Sequence, residues 1–170
     1  MSAAMDRLLT QYEGGRITRR EYLARVSGLV VAARAATASD PAISTVKQLN
    51  HVTIFVRDVQ RSRTFYQELF GMPLLTPQDP GVNLKAGDGF LGIYPAQDRT
   101  LGINHVCFGL DNFDADAVLK KLTQRGLNGN IRLRGDTKEL YFSDPDNIRV
   151  QLQDARYIGG VGPLGDRPPK

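Results

Sequence analysis

The tripeptide Asn-His-Val occurs twice, at residues 50–52 and 104–106, and the pattern around it repeats with it. Each copy sits in a run rich in β-branched and apolar residues, Leu49 to Val56 and Ile103 to Leu110, which reads as a strand. Each run leads to a helix with start and stop signals. The first helix spans Val59 to Phe70 with Asp58 as cap and Gly71 as stop; the second spans Phe113 to Arg125 with Asp111 or Asn112 as cap and Gly126 as stop. On the first, Val59, Ser62, Phe65, Tyr66 and Leu69 recur at helical spacing and predict a packing face. Three short extended segments follow each helix: around Leu74, 82–86 and 90–94, then 131–134, 139–143 and 149–153. Gly87-Asp88-Gly89 and Asp144-Pro145-Asp146-Asn147 supply turns, the latter with structural carboxylates. The chain is thus an internal duplication of β-α-β-β-β, of the α+β class.

Strand alternation then separates two faces. Val52, Ile54 and Val56 oppose His51, Thr53 and Phe55; Val106, Phe108 and Leu110 oppose His105, Cys107 and Gly109. Leu140 and Phe142 oppose Glu139, Tyr141 and Ser143, and Val150 and Leu152 oppose Gln151 and Gln153. The apolar faces can bury under the helices. A sheet curved so that the other faces converge encloses a polar cup, which is a binding site rather than a core.

Composition narrows what such a cup can hold. Cys107 is the single cysteine, so neither an internal disulfide nor a multi-thiolate metal site is available, and nothing nearby marks it as reactive. With two histidines in all, a metal site must be completed by oxygen ligands. A net charge of +4 without a dense Lys/Arg run argues against nucleic acid as a partner. No apolar run reaches the length of a membrane span.

Asn50-His51-Val52, Asp58, Arg61-Ser62, Phe65-Tyr66 and Leu69-Phe70-Gly71-Met72 together resemble the opening module of the vicinal-oxygen-chelate superfamily, which includes glyoxalases, bleomycin-resistance proteins and extradiol dioxygenases. His105 with Tyr141-Phe142-Ser143-Asp144-Pro145-Asp146-Asn147 resembles its closing module. The resemblance covers residues 46 to 155 and implies two βαβββ modules, 46–98 and 99–155, forming a cupped, barrel-like mixed sheet. It implies His51 and His105 as metal ligands. The closing ligand, usually Glu, falls on Gln151, seven residues after Asp144, and the remaining position falls near Gly92, which offers no side chain. A Gln carbonyl can coordinate a metal but brings no charge and cannot act as a general base. Glu139 is a second candidate for the missing carboxylate. Tyr141, inward beside a metal, is placed to orient an oxyanion, and Arg132 and Arg134 either bind an anionic substrate or stand solvated.

What the resemblance implies is a small-molecule enzyme in which a divalent ion (Fe²⁺, Mn²⁺ or Zn²⁺) chelates vicinal substrate oxygens, in a lyase or dioxygenase-type reaction. Two alternatives stand beside it. One is a metal-free sequestering protein of the bleomycin-resistance kind, with hydrogen-bonded histidines in its pocket; the other is a regulatory module dimerised by its N-terminal helices. A homodimer is expected.

Residues 1–38 form an N-terminal helical extension, read either as an amphipathic hairpin (Met5 to Tyr12 and Thr18 to Ala36, turning at Gly14-Gly15) or as a twin-arginine-type signal. Thr18-Arg19-Arg20 and the small residues Ala36-Thr37-Ala38 support the signal; Arg25 and Arg34 bracket its apolar segment and count against it. Cytoplasmic and exported locations both stay open. Residues 39–45 form a linker, and the Gly- and Pro-rich tail at 156–170 either covers a surface or is disordered.

Overall fold

In this computed structural model residues 3–27 and 41–167 are described, and the chain divides into two units, Met1–Ala42 and Ile43–Lys170. In the first unit, helix α1 (Ala3–Glu13) is followed by a turn through Gly14 and Gly15, where Gly15 takes φ +67°. A second helix, α2, is described over 19–27. Thr18 and Glu21 form its capping box: the Thr18 N–H donates to Glu21 Oε2 (2.8 Å) and the Glu21 N–H to Thr18 Oγ1 (3.3 Å). Tyr12 and Tyr22 stack across the turn, ring centroids 5.1 Å apart. Arg19 and Arg20 therefore occupy a helical first turn. Most of the apolar stretch after them, and Ala36-Thr37-Ala38, lie outside the described residues. Among the described residues no helix is long and apolar enough to cross a membrane.

The second unit holds both βαβββ modules. The first comprises β1 (Val46–Val56), α3 (Val59–Phe70), β2 (Leu74–Pro77), β3 (Val82–Ala86) and β4 (Gly89–Pro95). The second comprises β5 (Gly102–Leu110), α4 (Ala115–Gln124), β6 (Gly129–Arg134), β7 (Thr137–Ser143) and β8 (Arg149–Asp154). Together they make one eight-stranded mixed sheet in the order β2-β3-β4-β1-β5-β8-β7-β6. The sheet is cupped but not closed as a barrel, since β2 and β6 are edges. The modules meet where β1 and β5 pair antiparallel, with Val52 opposite Val106 and Thr53 opposite His105. Each opening strand pairs in parallel with its own module's last strand, β1 with β4 and β5 with β8.

The apolar strand faces bury as their alternation requires. Leu110, Leu140, Val150 and Leu152 pack against Ala115, Val118 and Leu122 of α4, while Val82, Leu84 and Ile93 form a smaller cluster in the first module. Leu140 is fully buried at the centre of the larger cluster. Leu140→Ala is expected to cost about 2–5 kcal/mol through lost transfer energy and the residual cavity, read as a lowered midpoint in urea unfolding.

Two helix expectations are corrected. The second helix begins later than the sequence suggests: its cap is neither Asp111 nor Asn112 but Asp114, whose carboxylate accepts from the N–H groups of Asp116 and Ala117, both at 3.0 Å. Asn112 instead takes a left-handed conformation, φ +52°, that ends the strand. The face expected on α3 is rotated. Val59 and Tyr66, seven residues apart, touch the core, whereas Phe65 and Leu69 are 55% and 60% exposed and no residue of the helix is fully buried.

Residues 156–167 of the tail fold back over the sheet. Tyr157 is buried, Val161 and Arg167 form a bridge, and Thr137 Oγ1 donates to Gly162 O at 2.7 Å. Gly159 must be glycine here: φ is +90°, and a Cβ would lie 2.1 Å from Asn83 Nδ2.

Candidate metal centre and its cavity

The polar faces of β1, β5, β7 and β8 converge on one cavity of about 330 Å³, closed on one side by Tyr157 and Gly159 of the tail. His51, His105 and Gln151 meet there. His51 Nε2 lies 3.2 Å from His105 Nε2 and 3.2 Å from Gln151 Oε1. All three side chains are buried.

Hydrogen bonding decides which imidazole nitrogen carries the proton. Asn50 Nδ2 donates to two carbonyls, Ala155 O (3.1 Å) and Tyr157 O (3.0 Å), so its Oδ1 must be the atom facing His51. His51 Nδ1–H therefore donates to it at 2.8 Å. Asn104 is fixed likewise: its Oδ1 accepts from Arg149 Nη1 (3.1 Å), and His105 Nδ1–H donates to the same oxygen at 2.7 Å. Both Nε2 atoms are left as lone pairs. The electrostatics agree, because burial and then the neighbouring His105 hold His51 well below its ordinary pKa, and burial and then Arg149 lower His105 to about 4.

With Gln151 Oε1 turned toward His51, its Nε2 making no bond elsewhere, three acceptors meet at one buried point. Such an arrangement is repulsive unless a cation sits between the lone pairs. Metal–nitrogen bonds of ~2.1 Å at tetrahedral or octahedral angles separate neighbouring donors by roughly 3.0–3.4 Å, and the observed 3.2 Å falls inside that range. The donor set fits a divalent ion.

Strand register makes the two halves of the site comparable. Gln151 lies opposite Cys107, two residues beyond His105, and Gly92 lies opposite Thr53, two residues beyond His51. Gly92 is therefore the counterpart of Gln151. Across the next pairing, Tyr141 faces Gln151 and Asn83 faces Gly92.

Glu139 does not complete a carboxylate-bearing metal set; among the described residues no three His, Cys, Asp or Glu side chains gather around a metal-sized space. Its carboxylate is occupied elsewhere. Tyr141 Oη donates to Glu139 Oε2 at 3.0 Å and Tyr157 Oη to Oε1 at 3.4 Å, while Arg132 and Arg134 approach to 4.0 and 3.9 Å. Tyr141 packs edge-on against His105, centroids 5.4 Å apart. Burial, and next the Glu139 charge, raise the pKa of both tyrosines, so both remain phenols. Cys107 is fully buried, and burial raises its thiol pKa, as an inert residue requires.

Arg132 and Arg134 both line the cavity, with Arg99 and Arg149, against two acidic residues, Asp79 and Glu139. Arg149 lies over the Tyr141 ring, 4.1 Å from its centroid. The sequence reading missed Arg149 and the two asparagines' role. The repeated Asn-His pair was the available signal for the asparagines, and Arg149 sits two residues before Gln151 on the same strand face. Arg99 and Tyr157 come from connections, where alternation says nothing.

A family profile described as the Glyoxalase/Bleomycin resistance protein/Dioxygenase superfamily matches residues 48–152. The metallothiol transferase FosB of Lysinibacillus sphaericus (strain C3-41) is 29% identical over 131 residues, covering 72% of this chain and 88% of that protein. The glutathione transferase FosA of Serratia marcescens is 28% identical over 131 residues, covering 72% and 92%. Among solved structures, methylmalonyl-CoA epimerase from Mycobacterium tuberculosis shares the fold at a TM-score of 0.53 and 18% identity, covering 67% of this chain and 91% of that one. The 2,3-dioxygenase LapB from Pseudomonas sp. KL28 does so at 0.54 and 22%, covering 66% and 42%. The duplicated modules, the paired histidines and the profile over most of the second unit agree: this chain belongs to the glyoxalase, bleomycin resistance protein and dioxygenase superfamily.

Proposed function

We propose that the domain is a divalent-metal enzyme acting on a small anionic, oxygen-rich molecule by polar group transfer or a lyase-type reaction. The observation that carries this is the meeting of three neutral acceptors, His51 Nε2, His105 Nε2 and Gln151 Oε1, in an arginine-lined cavity. When bound, the ion supplies Lewis-acid polarisation of vicinal substrate oxygens. A ligand set with no carboxylate leaves its charge uncompensated. That strengthens polarisation and opposes the electron loss that dioxygenase-type chemistry demands, so the dioxygenase half of the sequence expectation is the less favoured.

The chain's own residues divide the remaining work. Asn50 and Asn104 fix the imidazole tautomers. Arg149, held by Asn104 and the Tyr141 ring, attracts the anionic end of the substrate beside His105. Gln151 Nε2 is buried without a partner and donates to a substrate oxygen, which the usual Glu could not do. Glu139 is the proton acceptor that Gln151 is not, reached through the Tyr141 hydroxyl. The relatives' transferase names support group transfer. A metal-free sequestering role is less well supported, because the two imidazole Nε2 lone pairs face each other at 3.2 Å with no proton between them. The exposed Phe65, Leu69 and Phe70 on α3 support the expected homodimer.

Metal analysis of the full chain purified without chelators tests the reading. About one divalent ion per chain is expected, with turnover of small phosphonates or carboxylates, in the presence of a thiol or alone, abolished by chelation and restored by Mn²⁺ or Zn²⁺. Well-folded protein that neither retains nor takes up such an ion would sink it.

A further inference from the structure

We infer that the Gly92 side of the cavity is a hydroxyl-recognition subsite, in which Asn83 Oδ1 accepts a hydrogen bond from the substrate. The inference rests on the anionic-substrate reading above. Asn83 is 1% exposed and lines the cavity, yet its Oδ1 has no hydrogen-bond partner. An orphaned buried acceptor is costly, and native proteins retain few of them.

The amide cannot turn over to relieve this. Asn83 Nδ2 donates to Thr76 Oγ1 at 2.9 Å and to Gly159 O at 3.3 Å. Thr76 Oγ1 has its own proton committed to Ile158 O at 3.2 Å. Exchanging the amide atoms would set Oδ1 against the Gly159 carbonyl, acceptor against acceptor. Oδ1 is therefore locked as an acceptor on the Gly92 side, where an added Cβ would lie 3.2 Å from it and 2.9 Å from Thr53 Oγ1.

The duplication explains why that corner is polar and short of a side chain. In the second module the equivalent row is Cys107, Gln151 and Tyr141, and Gln151 fills it with a ligand. In the first it is Thr53, Gly92 and Asn83, with no side chain at the centre. The two corners share one cavity, one taken by the metal set and the other left to the substrate. Thr53 is two residues from His51 on the same strand face, so the backbone positions of the two corners lie roughly 7 Å apart along β1. A substrate with an oxyanion at one end and a hydroxyl on a short carbon spacer would engage both corners of the one cavity.

The donor is a neutral hydroxyl rather than an ammonium. Arg134 Nη1 donates to the same Gly159 carbonyl as Asn83, at 3.3 Å, and a second cation beside it would be repelled.

Titration calorimetry on the full-length Mn²⁺-loaded chain tests this with 3-hydroxypropylphosphonate and butylphosphonate, which differ by a hydroxyl in place of a methyl. The hydroxyl compound is expected to bind about tenfold more tightly, since the methyl leaves Asn83 Oδ1 buried and unpaired. In Gly92→Ala the new methyl must displace Thr53 Oγ1 or Asn83 Oδ1, and the ratio is expected to fall to about one, with the melting temperature checked alongside. Equal affinities in the wild-type chain overturn the subsite and leave the anionic reading standing; that arm needs no variant to fold. A preference that survives in folded Gly92→Ala overturns it too. Failure of both phosphonates to bind removes the anionic reading and the subsite together.

Discussion

In a His51→Ala or a His105→Ala chain, bound divalent metal is expected to fall from about one ion per chain to less than about a tenth, with the fold retained. Each change removes one of the two nitrogen donors and leaves a single imidazole with an uncharged amide, too weak a set to hold a hydrated dication. The two variants should fail alike, because both imidazoles are presented in the same way, Nδ1–H bonded to the preceding asparagine and Nε2 turned inward. Metal content by mass spectrometry, with circular dichroism to establish folding, checks the result. A folded variant that keeps its ion would mean that the ion sits elsewhere.

Gln151→Glu is expected to act in the opposite direction. A carboxylate in place of Gln151 Oε1 adds an anion beside a dication in a buried site, and metal affinity should rise about tenfold or more, ~1.4 kcal/mol at least. The metal-free form should suffer, since the new charge is buried against imidazole lone pairs with no counter-ion. Melting temperatures measured with chelator and with saturating Mn²⁺ should therefore spread further apart than in the wild type. Turnover should fall even as metal binds better, because the unpartnered Gln151 N–H is lost with the amide. Unchanged metal affinity would show that Gln151 is not a ligand.

Much of this site was legible in the sequence because a strand's period of two is rigid. Alternation put His51, His105 and Gln151 on the polar strand faces and the family resemblance singled them out as a set, while the pairings that bring them together are seen only in the fold. The role of Glu139 was not legible. Alternation places it on the correct face, but only the fold shows two tyrosines and two arginines already surrounding it. The tail was opaque for a different reason: its glycines read as freedom, whereas here they allow close approach, and Gly159 O receives bonds from Gln78, Asn83 and Arg134. The α3 face was misjudged because helical spacing identifies a stripe without fixing which edge of it meets the sheet. Phe65 and Leu69 lie beyond the edge that Val59 and Tyr66 define.

Having β1 and β5 in one chain also bears on how the site can change by mutation. A pocket assembled from two identical copies would receive every substitution twice, so a residue that improved one corner would be imposed on the other. Here a codon change at Gly92 leaves Gln151 untouched, although the two hold equivalent positions. One half can keep its ion while the other varies to suit a new molecule, and Asn83, standing where the second module has Tyr141, shows the two halves already differing at an equivalent position.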